Sequence, residues 1–367
     1  MSNLATVISI VPRLPPAIDG VGDYALNLAR QLRKDFNIQT HFIVGNSTWQ
    51  GAAEIEGFTV SQITDSSANT LLTQLSSNNC PSPILLHYVG YGYAQRGCPV
   101  WLVDGLQRWK SLYPKNNLVT MFHELYASGY PPWTSSFWLS PLQKSLVVRL
   151  TQLSDRCITS KQLYANIITE ISQRKHNQVA FLPVFSNIGE PDQLPSDLSE
   201  RQQRLVIFGG VANRARVYNQ SQRILDYVCQ RLNIQEICDI GTPTGITPSF
   251  IGKVPILEIG EQPAHKVSDI LANSIAGFSD YNPDFLAKSG IFAAYCAYRL
   301  LPINAKGSLS LIDGIEAGKH YWVPNIDENN LVNELNLQTI ADNSYDWYQK
   351  HNLLVHVDSF ITQLSAS

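Results

Sequence analysis

The chain has 367 residues, a formal net charge of −3, and 44 % hydrophobic against 16 % charged residues. That apolar content can close a sizeable core and argues against a disordered chain, and the length suggests two domains at roughly 150 residues each. A pI near 6.2 with no long Lys/Arg run argues against a nucleic-acid partner.

No stretch reaches the ~20 apolar residues of a membrane helix. The longest candidate, 291–303, is too short and contains Arg299. The N-terminus has no basic start and no small-residue cleavage site, so no signal peptide is expected. Six scattered cysteines (Cys80, Cys98, Cys157, Cys229, Cys238, Cys296) form no CxxC pair. They read as free thiols of a reducing compartment, which points to the cytoplasm and away from a zinc site.

In chain order, strands are expected at 4–11, 39–44, 84–89, 118–122, 156–159 and 179–184. Most are short continuous apolar runs, the pattern of parallel strands buried on both faces. Between the first two lies an amphipathic helix with Val21, Tyr24, Ala25, Leu28 and Leu32 on one face. The polar stretch 186–203 reads as an interdomain linker. Alternation then restarts: a strand at 205–208 ending in Gly209-Gly210, a helix at 218–232, and strands at 236–240 and 256–259 ending in Gly241 and Gly260. A helix marked by Val267, Ile270, Leu271, Ile275 and Phe278 runs into another strand, and a helix at 289–299 precedes a strand at 300–303. A last helix spans 345–364. The expected domains are 1–185, a linker at 186–203, 204–344, and a C-terminal helix at 345–367 in reach of the first domain. Two such runs predict two doubly wound Rossmann-like α/β domains, with ligands outside the carboxyl ends of their strands and between the domains.

Three places carry candidate chemistry. Gly20-Val-Gly22-Asp23-Tyr-Ala25 formally matches the dinucleotide fingerprint, but the stiff loop at 12–19 separates it from its strand. No acid ends the next strand to hold a ribose, so the fingerprint is rejected. What remains is a glycine turn that either meets an anionic ligand or merely permits the bend, with Asp23 complementing the helix dipole. His123-Glu124 follows the strand at 118–122; it is either a proton-transfer pair or a hydrogen-bonded strand end. The aromatic loop 126–138 either lines a sugar site or packs as ordinary surface.

In the second half, Gly209-Gly210 is followed by Arg214 and Arg216, a reasonable diphosphate clamp if the arginines are not simply solvated. Asp280-Tyr281-Asn-Pro-Asp284 runs into Lys288, and Ser289-Gly290 opens a helix. A cation, a hydroxyl and free backbone N–H groups together suit phosphate, although Ser289 alone would be an ordinary N-cap.

A proline-rich loop, then Asp19-Gly20-Val21-Gly22-Asp23-Tyr24, then an amphipathic helix resembles the opening of GT-B glycosyltransferases of the family 4-like kind. The resemblance rests on order and spacing along nearly the whole chain. It implies two Rossmann-like domains facing a cleft, the first for the acceptor and the second for a nucleotide-sugar donor. It implies sugar-contacting or catalytic roles for His123, Glu124 and Asp23. It implies donor contacts from Gly20, Gly22, Gly209, Gly210, Arg214, Arg216, Gly241, Tyr281, Lys288, Ser289 and Gly290, with the loop at Gly260-Glu261 packing on the base. The chain departs from the family's E-x7-E motif: eight residues after Asp284 stands Phe292, and eight after Asp280 stands Lys288. No D-x-D occurs, so no metal is expected. The implied activity is transfer of a hexose from a UDP-sugar, UDP-glucose by preference, to a polysaccharide or lipid-linked glycan, with peripheral association at the inner membrane face through the acceptor. Two rivals stay open: a nucleotide-sugar 2-epimerase on the same scaffold, and a non-catalytic nucleotide-sugar-binding protein.

Overall fold

The apolar runs become strands whose side chains are covered on both faces. The structure, a computed structural model, describes residues 4–76, 82–128, 131–326 and 337–365. The chain divides into two units, Met1–Pro183 with Leu353–Ser367, and Val184–Asn352.

The first unit contains β1 (Thr6–Val11), α1 (Gly20–Phe36), β2 (Gln39–Val44), β3 (Glu54–Ile55), β4 (Phe58–Gln62), α2 (Ala68–Ser76), β5 (Ile84–Tyr88), α3 (Gly90–Tyr93), α4 (Val100–Leu112), β6 (Leu118–Phe122), α5 (Ser135–Leu153), β7 (Arg156–Thr159), α6 (Gln162–Ile171) and β8 (Ala180–Phe181). Its sheet runs β3-β4-β2-β1-β5-β6-β7-β8, parallel except that β3 is antiparallel to β4. Every residue of β5 and β6 is buried. One core includes Ile8, Leu86, Tyr88 and Phe122, and another includes Val11, Ala25, Phe42 and Val44. Asp19 caps α1 by accepting from the N–H groups of Val21 and Gly22, and Asn37 ends it in the left-handed conformation.

The second unit contains β9 (Gln202–Phe208), α7 (Val211–Gln220), α8 (Gln222–Arg231), β10 (Glu236–Ile240), β11 (Phe250–Ile251), β12 (Val254–Glu258), α9 (Ala264–Ala272), β13 (Ser274–Ser279), α10 (Gly290–Ala297), β14 (Leu301–Asn304) and α11 (Leu337–Gln349). Its sheet runs β11-β12-β10-β9-β13-β14, again parallel apart from the short β11. A core around Leu205, Ile207, Leu225, Ile237, Phe278 and Ile303 joins sheet to helices. The last helix, α12 (Leu353–Ser365), belongs to the first unit, where it lies against α1 and β6.

Several boundaries differ from expectation. The helix expected at 218–232 breaks at Ser221, whose hydroxyl donates to Asp280 instead of serving a continuous helix. The strand expected at 179–184 shortens to the two residues of β8. The stretch 186–203 is grouped with the second unit and ends in a 3-10 turn and the first residues of β9. The single last helix is two, α11 and α12, and the division between units falls in their connection. Cys157, Cys229, Cys238 and Cys296 are buried free thiols and Cys98 is half-buried; Cys80 lies outside the described residues. Among the described residues no helix is long and apolar enough to cross a membrane.

Candidate functional site

In the second sheet the chain runs from β9 to β10 on one side and returns later to β13 on the other. The strand order therefore reverses between β9 and β13, where open α/β sheets form their ligand crevice. A shallow, solvent-open hollow lies there, lined by Phe208 from β9, Arg214 from α7, Phe278 and Ser279 from β13, Tyr281, and Ser289 and Ile291 at the start of α10. The first turn of α7 borders it through Asn213. Two helix N-termini thus open on one depression, and both present backbone N–H groups that have no partner within their helix.

Glycine is required at the turn into α7. Gly209 has φ 122, and a Cβ there would come within 2.3 Å of the Ile291 side chain. A Cβ on Gly210 would meet nothing within 4 Å, so this turn stays open to a ligand. At α10 the Ser289 hydroxyl accepts from the N–H of Phe292 at 3.1 Å. Ser289 is therefore an N-cap, and its O–H proton remains available to donate elsewhere. Lys288 immediately precedes it, half-buried, with its ammonium 5.6 Å from the centre of the Phe285 ring. Gly290 begins the helix against Asn187. The main chain of Tyr281 is held by Asn304, which accepts from its N–H and donates to its carbonyl, both at 2.9 Å.

The two arginines separate in role. Arg216 is half-buried and donates to the Asp280 carbonyl at 3.1 Å and to Asn213 at 3.3 Å. Arg214 is 1 % exposed and ion-paired with Asp239, itself fully buried. Its other N–H groups donate to the carbonyls of Gly209 and Thr242. The Tyr218 hydroxyl donates to the same carboxylate. Burial pushes the Asp239 carboxyl up, and Tyr218 and Arg214 pull it back down. Arg214 thus ties the glycine turns at 209 and 241 together, and it also lines the hollow. The neighbouring turn completes the set: Gly241 has φ 139 and donates to the Gly260 carbonyl at 3.0 Å, and the Thr242 hydroxyl donates to Glu261 at 2.6 Å. Tyr218, Asp239, Ser221 and Asn304 were not singled out from sequence. An acid inside the apolar strand Glu-Ile-Cys-Asp-Ile was the available signal for Asp239.

In the first unit the strand order reverses between β1 and β5. Gly22 lets α1 start against the preceding loop, since a Cβ there would stand 2.2 Å from the Arg13 carbonyl oxygen, whereas Gly20 faces open space. Asp23 is half-buried; burial first, then the neighbouring Asp19, pushes its carboxyl up to about 6. A carboxyl so tuned can exchange a proton near neutrality. His123, at the end of β6, is 7 % exposed, and its Nε2 lies 3.1 Å from Nδ1 of His87 on β5. Its backbone N–H donates to the Tyr88 carbonyl at 3.0 Å. Burial pushes the His87 imidazole down to about 3, so that ring is neutral. Glu124 is exposed. The structure thus gathers His123 with His87 and Tyr24, residues that sequence reading did not connect with it. Tyr130 of the aromatic loop lies outside the described residues; Trp133 and Trp138 are exposed.

No family model and no curated protein matches the chain. Solved structures do. A UDP-forming α,α-trehalose-phosphate synthase from Burkholderia xenovorans superposes with a TM-score of 0.61 at 11% identity, covering 98% of both chains. The pneumococcal O-GlcNAc transferase GtfA in complex with UDP and GlcNAc gives 0.60 at 10% identity, also covering 98% of both. An α-glucosyltransferase in complex with UDP and a mismatched 13-mer DNA gives 0.58 at 11% identity, covering 98% of this chain and 99% of that one. With two doubly wound sheets and this nearly end-to-end likeness, the chain has the GT-B fold of glycosyltransferases.

Proposed function

We propose that the chain is a glycosyltransferase that takes a hexose from a UDP-sugar, UDP-glucose by preference, and passes it to a polysaccharide or lipid-linked glycan. The observation that carries this reading is the hollow between β9 and β13, lined by residues from the starts of α7 and α10, with Lys288 directly before Ser289 in the chain. Such an assembly favours a diphosphate, because N–H groups and helix dipoles converge on its charge. The UDP in the named neighbours supports the same reading. Gly209, Gly210, Arg214, Arg216, Lys288, Ser289 and Gly290 would hold the diphosphate, Tyr281 the nearby sugar, and the turn at Gly260-Glu261 the base, with Gly241 beside it. Gly20 and Gly22 would bring the start of α1 to the sugar, with His123, Asp23 and Glu124 as the groups that contact it or move its proton. Membrane association, if the acceptor is lipid-linked, would come through that acceptor.

The departing diphosphate gains charge as the glycosidic bond breaks, so cationic and N–H contacts strengthen in the transition state. Lys288→Ala should therefore weaken UDP binding about ten- to a hundred-fold, as expected for one charge-assisted hydrogen bond worth roughly 1.5–3 kcal/mol. Uridine, lacking phosphates, should bind nearly as before. Calorimetry with both ligands tests this, and equal losses would mean damage to the base pocket or fold.

With these groups in place of a D-x-D metal site, transfer is proposed to be metal-independent. Activity should survive excess EDTA; complete loss that manganese restores would overturn the proposal. A new epimer formed from UDP-N-acetylglucosamine would replace transfer with epimerisation. UDP binding with neither transfer nor slow donor hydrolysis would leave a non-catalytic binder.

A further inference from the structure

Tyr24 stands in the first turn of α1, directly after the glycine turn, and its ring is 3 % exposed. The ring meets His87, His123 and His356 edge-on, at centre-to-centre distances of 5.7, 5.0 and 5.6 Å. Phe360, one turn beyond His356 on α12, closes the far side at 6.5 Å. The Tyr24 hydroxyl lies 2.7 Å from Nδ1 of His356, and Nε2 of His356 lies 2.9 Å from the Pro183 carbonyl oxygen.

A carbonyl oxygen only accepts, so Nε2 of His356 carries the proton and donates. Burial pushes this imidazole down to about 4, so the ring is neutral and Nδ1 bears a lone pair. The Tyr24 hydroxyl is therefore the donor to Nδ1. Three segments far apart in the chain, at residues 24, 183 and 356, are joined in one directed path behind His123.

We propose that His356, delivered by the C-terminal helix, is a positioning residue: by holding the Tyr24 ring it sets the surface against which His123 packs and anchors the start of α1. The inference rests on the glycosyl-transfer reading above. A phenol ring has few torsions, and one strong hydrogen bond at its tip suffices to fix them. Without His356 the buried hydroxyl would lose this 2.7 Å bond and the constraint it places on the ring. Misplacing a reacting group by about 1 Å from outside the site can cost on the order of a hundred-fold in rate.

The test compares His356→Phe, His356→Gln and Tyr24→Phe in the full chain, with folding checked by circular dichroism. His356→Phe should lower kcat about ten-fold and leave the donor KM within about two-fold, because the diphosphate and base contacts proposed above lie in the second unit. Tyr24→Phe removes the same hydrogen bond and should match it. The double variant should be no worse than either single one, the signature of a shared interaction. His356→Gln, whose amide supplies one donor and one acceptor, should recover most of the rate. Unchanged kcat in folded His356→Phe, or losses that multiply in the double variant, would overturn the proposal. Should His356→Phe fail to fold, Tyr24→Phe, which deletes a single oxygen, carries the test alone. If the wild-type chain turns over no nucleotide sugar, the transfer reading fails separately. Positioning is then read from the imidazole NMR signals of His123, which Tyr24→Phe and His356→Phe should shift alike, and unmoved signals would refute it.

Discussion

Arg214→Ala is expected to destabilise the second unit by about 3–5 kcal/mol, the range for breaking a buried ion pair from one side. Both partners are out of water, Arg214 at 1 % and Asp239 at 0 % exposure, so the alanine variant leaves a carboxylate buried with only the Tyr218 hydroxyl to compensate it. The carbonyls of Gly209 and Thr242 lose their donors at the same time. Urea unfolding followed by circular dichroism measures the effect as a lower midpoint. A combined Arg214→Met and Asp239→Asn variant should recover part of the loss, since no uncompensated charge remains. The opposite pattern, an unmoved midpoint with UDP affinity reduced, would leave Arg214 only the phosphate role that its place after a glycine turn first suggested.

That contrast shows where sequence reading stopped. A strand, two glycines and an arginine mark the turn into α7, whose first turn borders the hollow. The sequence does not say whether a guanidinium points out to a ligand or back to a carboxylate; that depends on Asp239, 25 residues away on the adjacent strand. The buried parallel strands were legible because burial on both faces removes polar residues from them: every residue of β5 and β6 is covered, and both were expected within one residue. The strand β4 was not, because its second residue and its end face outward and its Thr, Ser and Gln resemble loop composition. The helix α5 hid behind Pro141, which breaks the helical pattern on paper yet sits inside the helix. Ser289 reads as a phosphate ligand ahead of a plain cap, and the 3.1 Å contact from Phe292 shows that its oxygen also serves as a cap. The cluster around His123 could not be read locally at all, since Tyr24 and His356 are 332 positions apart.

His123→Ala is expected to lower turnover at least about a hundred-fold, within the 10²–10⁴ range of acid–base groups, while UDP affinity changes less than about three-fold. The asymmetry follows from where the groups lie. The proposed diphosphate and base contacts belong to α7, α10 and the turns of the second unit, whereas His123 closes β6 in the first unit. A group that acts on the reacting sugar contributes to the chemical step, and its loss appears in kcat more than in binding. Removing a buried ring also leaves a cavity beside His87 and Tyr24, so a stability loss must be separated from a chemical one. His123→Asn serves that purpose: it keeps a polar side chain at the strand end but has no imidazole. If Asn restores the unfolding midpoint but not the rate, the ring itself takes part in transfer. Ten-fold weaker donor binding with unchanged turnover would instead make His123 a residue that only positions the donor. A full rate in His123→Asn would reduce it to a packed strand end, and proton handling would pass to Asp23, whose carboxyl is already held near 6.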